Sequence, residues 1–295
     1  MAFTNAQKLN IMKAFIKQYY WDTLSEAGFV SYKNEGFHWY KMEGDLLCSV
    51  RLPVFSPRTP LCLNVGFGII PLFVWEHIAP TGFWRDAESY FSPSQDHIIE
   101  PDGDSHYEAC RQLLGGLPRQ SYLYPSIAHY TSEGICIEHL NTPRCGAEIL
   151  QELIFPMFQN ITSVQALYEW NKQRRIRLDL EHKRHNSEEI MKTTTFIRNS
   201  FSQAISDQCL YFRDKEWYPR VIQYMKAMNN DPALIGIRHK TKELEKEYQE
   251  ERLHREILIK AIEQEDWDAI DEELQRNEKR MRLQIKNKLP QLGLA

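Results

Sequence analysis

A chain of 295 residues has room for one or two domains of ordinary size, and its 42% hydrophobic and 12% aromatic content supplies a packed core and excludes intrinsic disorder. Its formal net charge of −4 offers no global attraction to nucleic acid or to an anionic membrane, so any such contact must be local. No stretch approaches the roughly 20 apolar residues that span a bilayer, mean hydropathy is −0.53, and MAFTNAQKLNIMKAFIKQYYW is too often interrupted by polar residues for a signal peptide.

The cysteines Cys48, Cys62, Cys110, Cys136, Cys145 and Cys209 are scattered without a CxxC pair. That spacing suits reduced, partly buried thiols better than a disulfide framework, and a cytoplasmic setting is expected.

Leu9, Met12, Phe15, Ile16, Tyr19, Tyr20 and Leu24 recur at helical spacing between an N-cap at Thr4 or Asn5 and a stop at Gly28, which predicts an amphipathic first helix. Two short strands follow, Phe29–Tyr32 and Phe37–Lys41, with Asn34, Glu35 and Gly36 between them because Asn and Gly accept positive φ. A second hairpin is predicted from Leu46–Phe55 and Leu61–Ile70 across SPRTP, the nearly continuous apolar run LCLNVGFGII being its central strand. After Val74 and Trp75 the chain is rich in Pro, Gly, Ser and Asp through residue 105, an irregular stretch of the kind that carries function. A short helix at Ser105–Leu114, a strand at Gly134–Leu140, a helix at Ala147–Phe155, a break at Pro156 and a helix bearing Val164, Leu167 and Tyr168 complete an α+β domain over residues 1–172.

A basic connector, 173–186, leads to a helical domain, 187–295. Ile190, Thr194, Ile197, Phe201 and Ile205 predict one helix, and Trp217, Val221, Tyr224, Met225 and Met228 the next. Asp231 and Pro232 open a long helix through Leu234, Ile237, Leu244, Tyr248, Leu253, Ile257 and Ala261. Beyond a polar turn at Glu263–Asp266, a last helix sets Trp267, Ile270, Leu274, Met281, Ile285 and Leu289 on one face and stops at Pro290. These two helices are expected to pair as an antiparallel hairpin over 231–289. CLYFRDKEWYPRVIQYM and IKAIEQEDWDAIDEEL both place a polar turn before a tryptophan, but a repeat array needs about three copies to close a continuous core. The fold expected is therefore an α+β domain, a small antiparallel sheet with flanking helices, followed by an all-α arm ending in a helical hairpin.

The order of amphipathic helix, LSEAGFVSYKNEGFHWYK, LLCSVRLPVFSPRTPLCLNVGFGI and, further on, LIFPMFQNITSVQALYEW resembles a bacterial domain family of unknown function, family 4304 of that class. The resemblance covers roughly residues 8–170 and rests on Gly28 and Phe29, Trp39, the strand end Asn64-Val65-Gly66, and Phe155 and Pro156. It departs at Arg51-Leu52-Pro53, where the family carries a Gln-containing polar strand. It implies a compact bacterial α+β domain and no activity or catalytic residue.

The densest set of ligand-type side chains is QDHIIEPDGDSHYEAC, in which His97, Asp102, Asp104 and His106 are the candidates for a metal site. A polar, solvated loop built on turn-forming Asp-Gly is the competing reading. Cys136, His139 and Cys145, with Cys110, offer thiolates and imidazole, yet on a strand Cys136 and His139 point to opposite faces. The glycines of NVGFG and Gly115-Gly116 lack the frames that cradle phosphate. The one basic patch is NKQRRIRLDLEHKRH, where Arg174, Arg175, Arg177, Lys183 and Arg184 suit a phosphate or an acidic partner, against the alternative of a solvated connecting helix. The charges of KELEKEYQEERLHRE read as a solvent-exposed helical face.

With no catalytic constellation and a long amphipathic arm, the function expected is a non-enzymatic intracellular interaction or assembly protein, in a bacterial setting an immunity or defence-associated accessory. A protein partner or a second copy would meet the hairpin through Leu244, Tyr248, Ile257, Trp267, Ile270, Leu274 and Met281. The alternative is a nucleic-acid-processing or metal-dependent enzyme using the 96–110 cluster and the basic connector. Nucleic acid is not favoured, membrane contact is not expected, and no cofactor is called for.

Overall fold

A computed structural model describes residues 13, 16–17, 20–52, 61–63, 66–75, 78, 126–131, 134–139, 150–193, 197, 201, 203–230 and 242–293. The chain divides into two compact units, one of Met1–Ile69, Ser92–Ser163 and Lys288–Gly293, the other of Ile70–Phe91, Val164–Asn287 and Leu294–Ala295.

The first unit is α+β. Helix α1, Trp21–Glu26, leads into β1, Val30–Ser31, β2, His38–Glu43, and β3, Leu46–Arg51, which pair antiparallel with Val30 opposite Tyr40 and Trp39 opposite Val50. The predicted turn at Asn34–Gly36 is tight: Lys33 and Asn34 take φ of 53° and 54° and Gly36 takes 81°. It is locked by Gly36 N–H donating to Ser31 Oγ at 2.9 Å and by Trp39 Nε1–H donating to the Gly36 carbonyl at 2.7 Å. Trp39, Leu46, Leu47, Cys48 and Val50 are all buried, so β3 is covered on both faces. Phe29 packs on Phe155 and Phe158, anchoring α2, Phe155–Asn160.

Two expectations for this unit are corrected. The single strand predicted over Leu61–Ile70 is two: β4, Leu61–Leu63, joins β6, Ser126–Thr131, and β7, Gly134–His139, in a second sheet of order β4-β6-β7, whereas β5, Gly66–Pro71, takes the edge beside β3 in the sheet β1-β2-β3-β5. A continuous apolar run does not record where a strand changes sheet. Pro156 does not break the helix either. It falls in the first turn of α2, directly after a single π turn at Leu150–Ile154, where its missing N–H costs nothing. The helix predicted at Ser105–Leu114 lies outside the described residues.

The second unit is helical: α3, Val164–His185; α4, Glu188–Met191; α5, Gln203–Tyr211; α6, Tyr218–Asn229, preceded by a 3₁₀ turn at Lys215–Trp217; α7, Lys242–Glu263; and α8, Trp267–Lys288. The last two are the expected hairpin helices, each of 22 residues and so about 33 Å long at 1.5 Å per residue. The start expected at Asp231 and Pro232 falls outside the described residues. Ser187 caps α4 by accepting from Ile190 N–H, but the helix predicted through Ile190 to Ile205 is not continuous, since Lys192, Thr193 and Phe201 are not helical although Ile197 is.

Residues 173–185 are the body of α3 and belong to the helical unit, whose boundary lies at Val164. Lys172 pairs with Asp214 at 2.6 Å, Tyr168 donates to the same carboxylate, Arg220 pairs with Asp179, and Arg175 is buried with its guanidinium over the Phe201 ring. Long basic side chains cover apolar surface with their stems, which is why a basic run in sequence became a packed helix face.

The two look-alike segments close their helices in the same way. Arg213 N–H bonds to Leu210 O and Asp214 N–H to Cys209 O; Glu265 N–H bonds to Ile262 O and Asp266 N–H to Ala261 O. Arg213 and Glu265 both sit at φ 53°, so each turn is a Schellman C-cap built without glycine. The turns lie side by side, with Arg213 2.8 Å from Asp271, Lys215 3.7 Å from Glu265 and Tyr218 against Trp267.

Candidate functional site

The hairpin face expected to dock a partner is covered by the chain's own helices. Tyr248, Ile270, Leu274 and Met281 are at most 4% exposed, and Ile257 and Trp267 are half-buried, with Lys215 4.9 Å over the Trp267 ring. The side chain of Leu244 lies outside the described residues. Four helices share the seam instead of two, because α5 and α6 pack alongside the hairpin: Asp207 reaches His254, and Asn229 takes Arg255 and Tyr248. Tyr248, Ile270, Leu274 and Met281 are thus part of the core of this unit.

That core is threaded with charge. Glu251 and Arg255, read from sequence as an exposed pair, are 7% and 3% exposed; Arg255 Nε donates to Asn229 Oδ1 at 2.6 Å and its Nη1 lies 3.4 Å from Glu251 Oε2. One turn away His254, 2% exposed, sits between two carboxylates. Its Nδ1 is 2.9 Å from Glu273 Oε1 on α8, and its Nε2 is 3.6 Å from Asp207 Oδ1 on α5. Gln203 Nε2 donates to the same Asp207 oxygen at 2.8 Å, and Arg276 holds the second oxygen of Glu273. Burial alone would push the imidazole down, but the bonds to Asp207 and Glu273 outweigh it and hold its pKa above the ordinary value. Burial would likewise raise Glu273, yet His254 and Arg276 keep it below the usual carboxylate range.

Asp207 also reaches the segment after β5. Its Oδ2 accepts the Trp75 N–H at 3.1 Å, the Trp75 ring stacks on His254 at 4.9 Å, and Arg280 lies 4.2 Å over the same ring. Three residues on, Ile78 N–H donates to Gln284 Oε1, and Phe73 stacks flat on Tyr211 at 4.2 Å. Phe73, Trp75 and Ile78 are therefore held on α5, α7 and α8 by named contacts.

An acid-histidine-acid row resembles catalytic machinery; here His254 is 2% exposed, and among the described residues the row meets no activated nucleophile. Burial pushes the described thiols, Cys48 and Cys209, up to about 12, and they are thiols at neutral pH. Among the described residues no group of three or more His, Cys, Asp or Glu is arranged to hold a metal. The candidates His97, Asp102, Asp104 and His106 lie outside the described residues, as do the side chains of Cys136 and His139 on β7.

The basic patch is divided by the fold. Arg175 is buried, the side chains of Arg174 and Arg177 lie outside the described residues, and Lys183 and Arg184 are exposed. On the same helix Ile176 and Leu180 are 39% and 51% exposed. Ile176, Leu180, Lys183 and Arg184 fall at i, i+4, i+7 and i+8, on one outward stripe of α3. The sequence carried this signal, an apolar pair spaced for a helix inside the basic run. Among the described residues no helix is long and apolar enough to cross a membrane. No protein-family model, curated protein or solved structure matches the chain.

Proposed function

We propose that the protein works by holding another protein and not by catalysis, and that the docking surface is the outward stripe of α3 in place of the hairpin seam. What carries this reading is the pairing of Ile176 and Leu180, exposed and one turn apart, with the exposed cations Lys183 and Arg184. An amphipathic helix of acidic character is the partner such a stripe fits: its apolar residues would cover Ile176 and Leu180 while its carboxylates meet the two cations. The other exposed leucines, Leu253 and Leu283, stand singly among charged neighbours and make no such face.

The test places a photo-reactive amino acid at position 176 or 180 in the native host. A discrete adduct with a protein carrying an acidic helical segment is expected, lost on Lys183→Glu with Arg184→Glu and absent when the probe stands at Leu253. Adducts no different from those at Leu253 would overturn the proposal.

A further inference from the structure

The outward face of α8 carries its charge in two blocks. Ile270, Glu273, Leu274, Asn277, Met281 and Ile285 are the buried side of the helix. On the opposite side Asp268, Glu272, Gln275, Lys279, Arg282 and Lys286 follow one another at alternating steps of four and three, which at about 3.6 residues per turn makes a single stripe. Arg282 is half-buried and the other five are exposed. The stripe is acidic at its start, neutral at Gln275 and basic over its second half. We propose that it is a self-association surface, on which two copies of the chain pair their α8 helices antiparallel about a two-fold axis.

Four charges of this stripe are not answered within the chain. Asp268, Glu272, Lys279 and Lys286 form no ion pair with any described residue. Their neighbours do: Asp271 pairs with Arg213 at 2.8 Å, Arg276 with Glu273, and Arg282 with Glu278 at 2.8 Å. The outward face of α7 likewise settles its charges internally, Lys246 with Glu250 at 3.6 Å and Arg252 with Glu256 at 2.8 Å. On α8 like stands by like instead. Asp268 and Glu272 are four residues apart, as are Arg282 and Lys286, a spacing at which like charges destabilise a helix. The helix dipole favours acid at the start and base at the end, but it acts within the first and last turns and does not account for Glu272 or Lys279.

A reversed second copy supplies the missing charges. Steps of four, three, four, three and four read the same in both directions, so an antiparallel α8 sets Asp268 opposite Lys286, Glu272 opposite Arg282 and Gln275 opposite Lys279, each contact occurring twice. A parallel pairing would set acid on acid and base on base. The stripe is about 27 Å long at 1.5 Å per residue, nearly the whole helix, and its alternating spacing is that of helices crossing at a shallow angle. Leu283, 57% exposed beside Arg282, would lie against the methylenes of Glu272 of the second copy. Exposed charge pairs contribute little each and are screened by salt, so the dimer is weak and sensitive to ionic strength.

Sedimentation velocity of the full chain, over a concentration series at low ionic strength and again in about 1 M salt, where the Debye length is about 3 Å, reads the association. Expected is a dimer that grows with concentration at low salt and recedes at high salt. Lys286→Glu and Asp268→Lys each set two like-charge contacts across the axis and should weaken it about tenfold or more, with the circular dichroism of the exposed variants unchanged. The chain carrying both substitutions should regain the native association. The two single variants, mixed, should associate more tightly than either does alone, since each then meets its opposite. Leu180→Glu, which spoils the α3 stripe, should leave the dimer as it is, so the two surfaces are tested separately. A chain that stays monomeric across the series at low salt, a double variant no better than the singles, or a mixture no tighter than its components would each overturn the pairing.

Discussion

Gly36 shows how a single position can be fixed twice over. At φ 81° only glycine is unstrained, and a β-carbon placed there would meet Ile16 Cγ2 at 3.0 Å and Trp21 Cζ3 at 3.3 Å. Gly36→Ala is expected to cost about 1–3 kcal/mol, read as a shift of the denaturant midpoint at unchanged slope. This position was legible in the sequence because NEG between two aromatic β-prone runs admits few other conformations. Pro290 was legible for the same reason, being a residue with one strong local role. His254 was not. It stands in a run of alternating charge that reads as solvent-facing, and only the positions of its neighbours disclose it: Glu251, His254, Leu258 and Ala261 recur at helical spacing and all are buried. Polar residues placed on an apolar stripe were the available signal.

At the scale of elements, the paired Schellman turns explain why two dissimilar sequences, FRDKEW and EQEDW, fold alike. Each ends a helix on a left-handed residue and follows it with an aspartate, Asp214 or Asp266, whose carbonyl or side chain accepts from the start of the next helix. Neither left-handed residue is glycine, so both turns hold strain that the packing overrides. Glu265→Gly is expected to stabilise the hairpin by about 0.5–1 kcal/mol, the gain at φ 53° exceeding the entropy glycine adds to the unfolded chain; the ion pair lost with Lys215 is solvent-exposed and contributes little. A higher thermal midpoint would bear this out, and an unchanged or lower one would show the turn to be unstrained. Element boundaries were least legible where one apolar run serves two elements, as in LCLNVGFGII, and where the chain leaves a helix inside a periodic run, as at Lys192 and Thr193. Periodicity counts apolar positions and carries no record of the partner that each will meet.

For the molecule as a whole, the charges buried in the helical unit make stability a function of pH on both sides. Burial would raise Asp214, but Lys172 and Tyr168 hold it below the ordinary carboxylate range, as His254 and Arg276 hold Glu273. Their contribution is present above the unfolded carboxylate values and is lost as pH falls through the depressed ones. His254, raised, contributes below its unfolded value and loses that contribution as pH rises through the folded one. Thermal melts followed by circular dichroism should trace a dome, with Asp214→Asn flattening its acid limb and His254→Gln its alkaline limb; a dome unmoved by either would assign the pH response elsewhere. The two-part arrangement and its α+β and helical characters were legible from composition and spacing. The covering of the hairpin was not, because an amphipathic stripe specifies that it must be buried and leaves open by what.

The row Asp207, His254, Glu273 also bears on how such a chain can change over generations. Removing the imidazole alone leaves Asp207 without a facing cation and Glu273 with Arg276 alone, and removing either carboxylate alone unbalances the imidazolium, so each single step passes through a weakened intermediate. Descendants should keep all three or exchange them together for apolar residues of similar volume. Positions 207, 254 and 273 would then be inherited as one character, with Trp75, whose ring stacks on the imidazole, following them.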